Sequence, residues 1–300
     1  MGDRVTLNYS ILDGESDLTI GYCRKIVGLN GKIYEEEDHL YHKIECKQFV
    51  FCDEFKEYVV KKKESMNRLV YICIVDTDKN PIGRYPFFIF DKTYYHKIGF
   101  PEEFMDIDFY GSLDHEFAND KEIEIWNKWR ISPPVQINEW ASLDLSERRV
   151  WLKVVKNYYL TKFSTNYKLN KQSDSETNDK DHFVLDGTNV TDYPSFFCAM
   201  GEAINGPGGY YGSDINSMAD CLFGGFGSPG PFFTLTWKNY DVAKKHLDKS
   251  AWRKQVNYIR RLDNKLLYKP EFAFEEWVDT PLIEALVELL EEKGVTIVFD

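Results

Sequence analysis

The chain has 300 residues, a formal net charge of −12 and a pI of about 5.1. So acidic a protein lacks the basic footprint of a nucleic-acid binder, and direct binding of DNA or RNA is not expected; capture of a basic protein partner is compatible with the charge. Hydrophobic residues at 43% and aromatic residues at 16% supply material for packed cores, and the length suits one large domain or two ordinary ones.

The N-terminal stretch MGDRVTLNYSILDGESD has neither the cationic start nor the apolar run of a secretory signal. Cys23, Cys46, Cys52, Cys73, Cys198 and Cys221 are scattered, some in apolar settings such as VYICIV, which fits reduced thiols in the cytoplasm. No window approaches the ~20 apolar residues of a membrane helix. A soluble cytoplasmic protein is expected.

Strand patterns come first. VGLNGKIY, residues 27–34, sets an Asn-Gly turn between β-prone flanks. LYHKIECKQFVFC (40–52) reads as a strand, and LVYICIVDTDKNPIGRYPFFIF (69–90) as two strands around a polar turn. DLSERRVWLKVVKNYYL (144–160) then has helical spacing, with Ser146 as N-cap and Val150, Val154, Val155 and Tyr158 on one face. The block 1–163 is expected to be an α+β domain with a mainly antiparallel sheet. Residues 164–181, STNYKLNKQSDSETNDKD, are polar and unpatterned, a linker composition.

Residues 182–300 alternate between strand and helix, which predicts an α/β domain with a small parallel sheet covered by helices. FVLDG leads into DYPSFFCAMGEAI, a helix with Pro194 near its start. SDINSMADCL is a second helix and FFTLTW a second strand. Thr280 can cap a last helix with Pro281 at its first position, Leu282, Leu286, Leu289 and Leu290 on its apolar face and Gly294 at its end. VTIVF reads as a buried terminal strand.

Several chemical patterns fail on inspection. His39, His42, Cys46 and Cys52 run through a predicted strand instead of forming the paired loops of a zinc site. DTDKN at 76–80 starts like a calcium loop, but Pro81 stands where the sharp turn needs glycine and Phe87 where the bidentate glutamate belongs. The glycines of AINGPGGYYG lack the spacing and lysine of a phosphate loop, and no serine or cysteine comes with a recognisable histidine motif. No enzyme, metal or cofactor is expected. In SDINSMADCL the apolar residues Ile215, Met218 and Leu222 share one side, while Asn216 and Asp220 share another, next to Tyr210 and Tyr211. An isolated carboxylate beside aromatics has the composition of a binding hot spot.

YYGSDINSMADCL, with FVLDGTNV before it, FFTLTWKNY after it and the closing helix and VTIVF strand, resembles the barstar family of barnase inhibitors throughout residues 182–300. The resemblance implies an inhibitor of a ribonuclease, the immunity protein of a toxin–immunity pair, whose tyrosine-glycine loop and following helix plug the active site of a basic nuclease. It assigns the phosphate-mimicking carboxylate to Asp220 and the loop contacts to Tyr210, Tyr211 and Gly212. The family's second helix aspartate falls at Asn216, with Asp214 close by, and its two tryptophans fall at Ala219 and Gly225, between which lies Gly224 and after which Phe226 follows. The contacting glutamate of the last helix has Glu284 and Glu288 as candidates. These departures leave open a second reading, a protein-binding or scaffold protein with a diverged, non-inhibitory domain. Between Trp237 and Pro281 the chain also carries an insert of roughly 25 residues, too long for an ordinary connection. Residues 238–269 hold ten bases and three acids, and residues 271–300 nine acids and one base, so mutual attraction of the two segments is the expected use of their charge.

Overall fold

The computed structural model describes residues 6–36, 39–62, 69–90, 99–113, 118–169, 182–225, 230–263 and 280–300. They form two compact units, Met1–Pro133 and Pro134–Asp300.

The first unit is built on antiparallel strands. β1 (Tyr9–Asp13), β2 (Thr19–Cys23), β5 (His39–Phe51), β6 (Leu69–Val75), β7 (Pro81–Ile89) and β8 (Met105–Leu113) pair in the order β2-β1-β6-β7-β8-β5. A last pairing of Gly21 with Phe51 and Tyr22 with Val50 returns β5 to β2 and closes a barrel. Inward positions carry Ile11, Ile44, Phe49, Ile72, Phe87 and Phe109, all buried, so the interior is a packed core. The mainly antiparallel sheet matches expectation. The Asn30-Gly31 turn does not make a hairpin, however. Its flanks β3 (Lys25–Val27) and β4 (Ile33–Glu36) both pair with β5, along the edge that β2 also uses. The turn at Asp76–Asn80 does join a hairpin, and Asp76 Oδ1 accepts from the backbone N–H groups of Asp78 and Asn80 at 2.9 and 2.8 Å. Helices α1 (Asp53–Lys61) and α2 (Asp120–Trp129) also belong to the described part of the unit. Trp126 of α2 donates to the Tyr85 hydroxyl at 2.9 Å.

The second unit holds a three-stranded parallel sheet, ordered β11 (Thr296–Phe299), β10 (Thr234–Lys238), β9 (His182–Asp186). Around it stand α3 (Leu145–Leu169), α4 (Tyr193–Asn205), α5 (Ile215–Leu222), α6 (Tyr240–His246), α7 (Lys249–Asp263) and α8 (Leu282–Glu292). The expected parallel sheet with helices is present. α4 is buried from Tyr193 to Glu202 because β9 lies on one side of it and α3 on another, the condition for a helix apolar all round. This packing groups α3 with the C-terminal unit, whereas the sequence pattern placed it before a linker at 164–181. Residues 164–169 continue α3, and residues 170–181 lie outside the described residues.

Three local expectations need correction. The cap of α3 is Asp144 and not Ser146. Asp144 Oδ1 accepts from Glu147 N at 2.8 Å, while Glu147 Oε2 accepts from Asp144 N at 3.1 Å, a reciprocal box that satisfies two end groups. Pro281 is the N-cap of α8 with extended ψ, so the helix begins one residue later than expected. VTIVF is an edge strand and, apart from the buried Val295, is not buried, with Val298 and Phe299 both 47% exposed. Among the described residues only β10 pairs with it, and none of their helices buries Val184 or Val298.

Candidate functional site

The candidate site is the connection from α4 to α5 and the outer face of α5. α4 ends at Asn205, and the chain then turns through Gly206, Gly208 and Gly212, all at positive φ. Gly212 is required twice over. Its φ is +91°, and a Cβ there would stand 2.6 Å from the backbone N and Cα of Met218. The absent side chain lets the loop lie directly on α5.

Polar contacts fix the loop. Asn205 Nδ2 donates to Tyr210 O at 2.6 Å. The buried carboxylate of Glu202 accepts at Oε2 from Asn138 N (2.8 Å) and Trp140 Nε1 (2.9 Å), and at Oε1 from Gly208 N (3.3 Å). Burial nonetheless raises its pKa above the usual glutamate range, because those donors only partly replace lost water.

The two tyrosines face inward. Tyr210 is 1% exposed and Tyr211 0%. The Tyr210 ring lies 5.8 Å from that of Tyr159 on α3, and Tyr211 is 6.4 Å edge-on from Phe233. Burial pushes the Tyr210 hydroxyl up to about 12 and raises that of Tyr211 as well. Rings of this size release much apolar area on packing, so they shape the loop from beneath and do not present their faces to solvent.

α5 is capped by Asp214. Its Oδ1 accepts from Ser217 N at 2.9 Å, and Ser217 Oγ accepts from Asp214 N at 3.1 Å and from Ser213 N at 2.8 Å. Ile215 N donates to the Tyr193 hydroxyl at 3.1 Å. The carboxylate near Asn216 is therefore engaged in holding the helix start, which limits its use as a second free charge. Ile215, Met218 and Leu222 are buried, as the spacing predicts, Cys221 is buried with them, and Asn216 and Asp220 are exposed. Gly224, also at positive φ, is exposed with open space around it. Phe226 lies outside the described residues.

Glu284 and Glu288 are exposed on α8, in a stripe with Glu291 and Glu292. Tyr240 has a hydroxyl pKa raised by its burial first, then by Glu284, Asp241 and Glu291. The far end of α8 meets α5, where Lys293 Nζ stands 4.6 Å over the ring of Phe223. Phe223, the C-cap of α5, was not singled out in the sequence, although it stands three residues after Asp220 and seven after Asn216, a spacing that continues their helix side. Glu202, Asn138 and Trp140 had no such signal, since long-range hydrogen bonds leave no periodicity.

Elsewhere, Cys46 is buried on β5, and His42 on the same strand accepts from Leu113 N through Nδ1 at 3.2 Å. No group of three or more metal-ligating side chains occurs among the described residues, and no helix among them is long and apolar enough to cross a membrane. The site offers a surface: an exposed carboxylate on a short, capped helix that follows a hydrogen-bonded glycine loop.

Residues 181–273 match the model of the Barstar (barnase inhibitor) family, and the N-terminal region has no family match. The C-terminal unit thus contains a barstar domain, which is of an inhibitor family and not a catalytic one; α8 and β11 lie beyond the matched residues. No curated protein and no solved structure matches the chain.

Proposed function

We propose that the barstar domain inhibits a basic ribonuclease and serves as the immunity protein of a toxin–immunity pair. The observation that carries this reading is the exposed Asp220 on α5, directly after the Gly212 loop and inside the family match. Inhibition needs no chemistry of the chain's own. The α4–α5 loop and α5 fill the nuclease cleft, and the Asp220 carboxylate takes the place of a substrate phosphate among arginine and histidine side chains. Charge-assisted hydrogen bonds to such cations are short and strong. The net charge of −12 steers a basic nuclease toward the complex and raises its rate of encounter. Tyr210, Tyr211 and Gly212 act from below by holding the loop, Asn216 and Gly224 lie on the contact surface, and Glu288 and Glu284 extend its acidic border.

A second reading, a binding module that inhibits no nuclease, draws support from Asn216 in place of an aspartate and from Ala219 and Gly225 in place of tryptophans. The readings separate on one assay. Barnase is mixed with increasing full-length chain and its cleavage of a fluorogenic RNA is followed. Stoichiometric loss of cleavage supports the inhibitor; complex formation with cleavage intact supports the module.

A further inference from the structure

Phe223 and Phe232 are the two most exposed phenylalanines among the described residues, at 71% and 81%. Large apolar rings left in water gain nothing for folding, and clustered ones mark contact surfaces. Phe232 is also held at φ +75°, a left-handed conformation that disfavours any residue with a Cβ and above all a bulky one. Its ring lies on Gly294, where a Cβ would come within 2.8 Å of two ring carbons. The neighbouring Lys293 covers the Phe223 ring. Lys293 and Gly294 follow α8 directly, so the end of α8 supports both rings. Phe223 is the C-cap of α5, three residues after Asp220 and seven after Asn216, and all three are exposed. A protein pressed onto Asp220 therefore meets Phe223 at once.

We propose that Phe223 and Phe232, supported by Lys293 and Gly294, form the apolar anchor of the nuclease-binding surface, and that the partner carries an apolar rim beside its cationic cleft. The inference rests on the inhibitor reading above and adds the partner's surface chemistry to it. The rings exclude water from the edge of the Asp220 contact, where a charge pair gains strength as the surrounding dielectric falls. The charge then sets where the nuclease docks, and the rings set which nucleases fit. An aromatic held at positive φ with most of its surface in solvent is the kind of outlier from which a function is inferred.

The test uses the full chain, barnase as probe, and the variants Phe223→Ala, Phe232→Gly, Asp220→Ala and, as an exposed aromatic remote in sequence, Phe90→Ala. Dissociation constants and melting temperatures are measured for each. Phe223→Ala and Phe232→Gly should each weaken binding at least tenfold, with Phe90→Ala within twofold. Phe232→Gly should melt no lower than the parent, because glycine suits that backbone. If Asp220→Ala weakens binding while both ring variants stay within twofold, the anchor is overturned and the inhibitor reading stands. A lowered melting temperature for Phe232→Gly would assign that ring to the fold and overturn its part. A parent chain that does not bind barnase at all overturns the inhibitor reading and this inference with it.

Discussion

The indole Nε1 of Trp140 donates a 2.9 Å hydrogen bond to Glu202 Oε2, joining the segment before α3 to the last turn of α4. The same oxygen accepts from Asn138 N, and the other carboxylate oxygen from Gly208 N at the start of the candidate loop. One buried side chain thus holds together a stretch outside the family match and the loop inside it.

That arrangement has a pH dependence with a definite sign. The Glu202 pKa is raised in the folded chain, chiefly by burial. Its contribution to stability is therefore fully present below the ordinary glutamate value of 4.5 and declines as pH rises through the raised one. Glu202→Gln removes this titration while keeping an acceptor for Asn138 N and Trp140 Nε1. Denaturant unfolding from pH 4 to 8 should show the parent losing stability relative to Glu202→Gln as pH rises. Glu202→Ala leaves several buried donors without their acceptor and should cost about 1–3 kcal/mol at every pH. Parallel pH profiles for the parent and the Gln variant would refute the assignment.

Arg148 carries a second link. Its Nη1 lies 2.6 Å from Asp192 Oδ2, its Nη2 donates to Ala141 O at 2.8 Å, and Asp192 caps α4 through Ser195 N. Both side chains of the pair are largely buried. Breaking a buried pair from one side leaves a desolvated charge behind, which outweighs the modest net value of the intact pair. Arg148→Ala should lower stability by about 2–4 kcal/mol, the lower part of the usual range extended for partial exposure. A change under about 0.5 kcal/mol, typical of surface sites, would show the pair to be superficial.

The packing of α3 on α4 makes a further prediction about fragments. A chain of residues 182–300 retains all but the first residue of the family match but lacks α3, and so bares the side of α4 that α3 covers and loses the Tyr159 neighbour of Tyr210 and the Arg148 contact to Asp192. Residues 134–300 retain all three. The longer fragment should melt cooperatively and the shorter should not, as followed by circular dichroism and near-ultraviolet signals. A cooperative, equally stable 182–300 fragment would show α3 to be dispensable.

What the sequence revealed follows from the range of each interaction. Periodicity of 2 and 3.6 is local, so β5, the β6–β7 hairpin, α3 and the buried face of α5 were all legible. Asp220 was legible as exposed for the same reason. Closure of the barrel by Gly21–Phe51, the grouping of α3 with the C-terminal unit and the Glu202 contacts depend on partners far away in the chain, which local pattern does not encode. VTIVF misled because an apolar run is common to buried and edge strands, and only the strand order distinguishes them. Beside a glycine loop Tyr210 and Tyr211 have the composition of a contact surface, and the packing of their rings against Tyr159 and Phe233 depends on partners that local pattern does not encode.

Asp220 is the sharpest test of the proposed function. It is exposed on α5, its helix is fixed by the Asp214–Ser217 box and by the buried Ile215, Met218, Cys221 and Leu222, and none of those contacts involves its carboxylate. Asp220→Ala should therefore change folding stability by no more than about 0.5 kcal/mol. Binding responds differently, because the lost carboxylate leaves the nuclease's cations desolvated and unpaired in the complex, at a cost of about 2–5 kcal/mol. Asn216→Asp tests the same surface from the other side. It restores a second carboxylate one turn earlier, in the first turn of α5, where a negative charge is also favoured by the helix dipole by about 0.3–1 kcal/mol. That variant should melt at or slightly above the parent and bind barnase more tightly, with the gain shrinking as salt screens the added charge. Calorimetric titration against barnase at two salt concentrations, together with melting curves, measures all of these. An Asp220→Ala variant that binds like the parent would eliminate phosphate mimicry, and one that fails to fold would make Asp220 a structural residue.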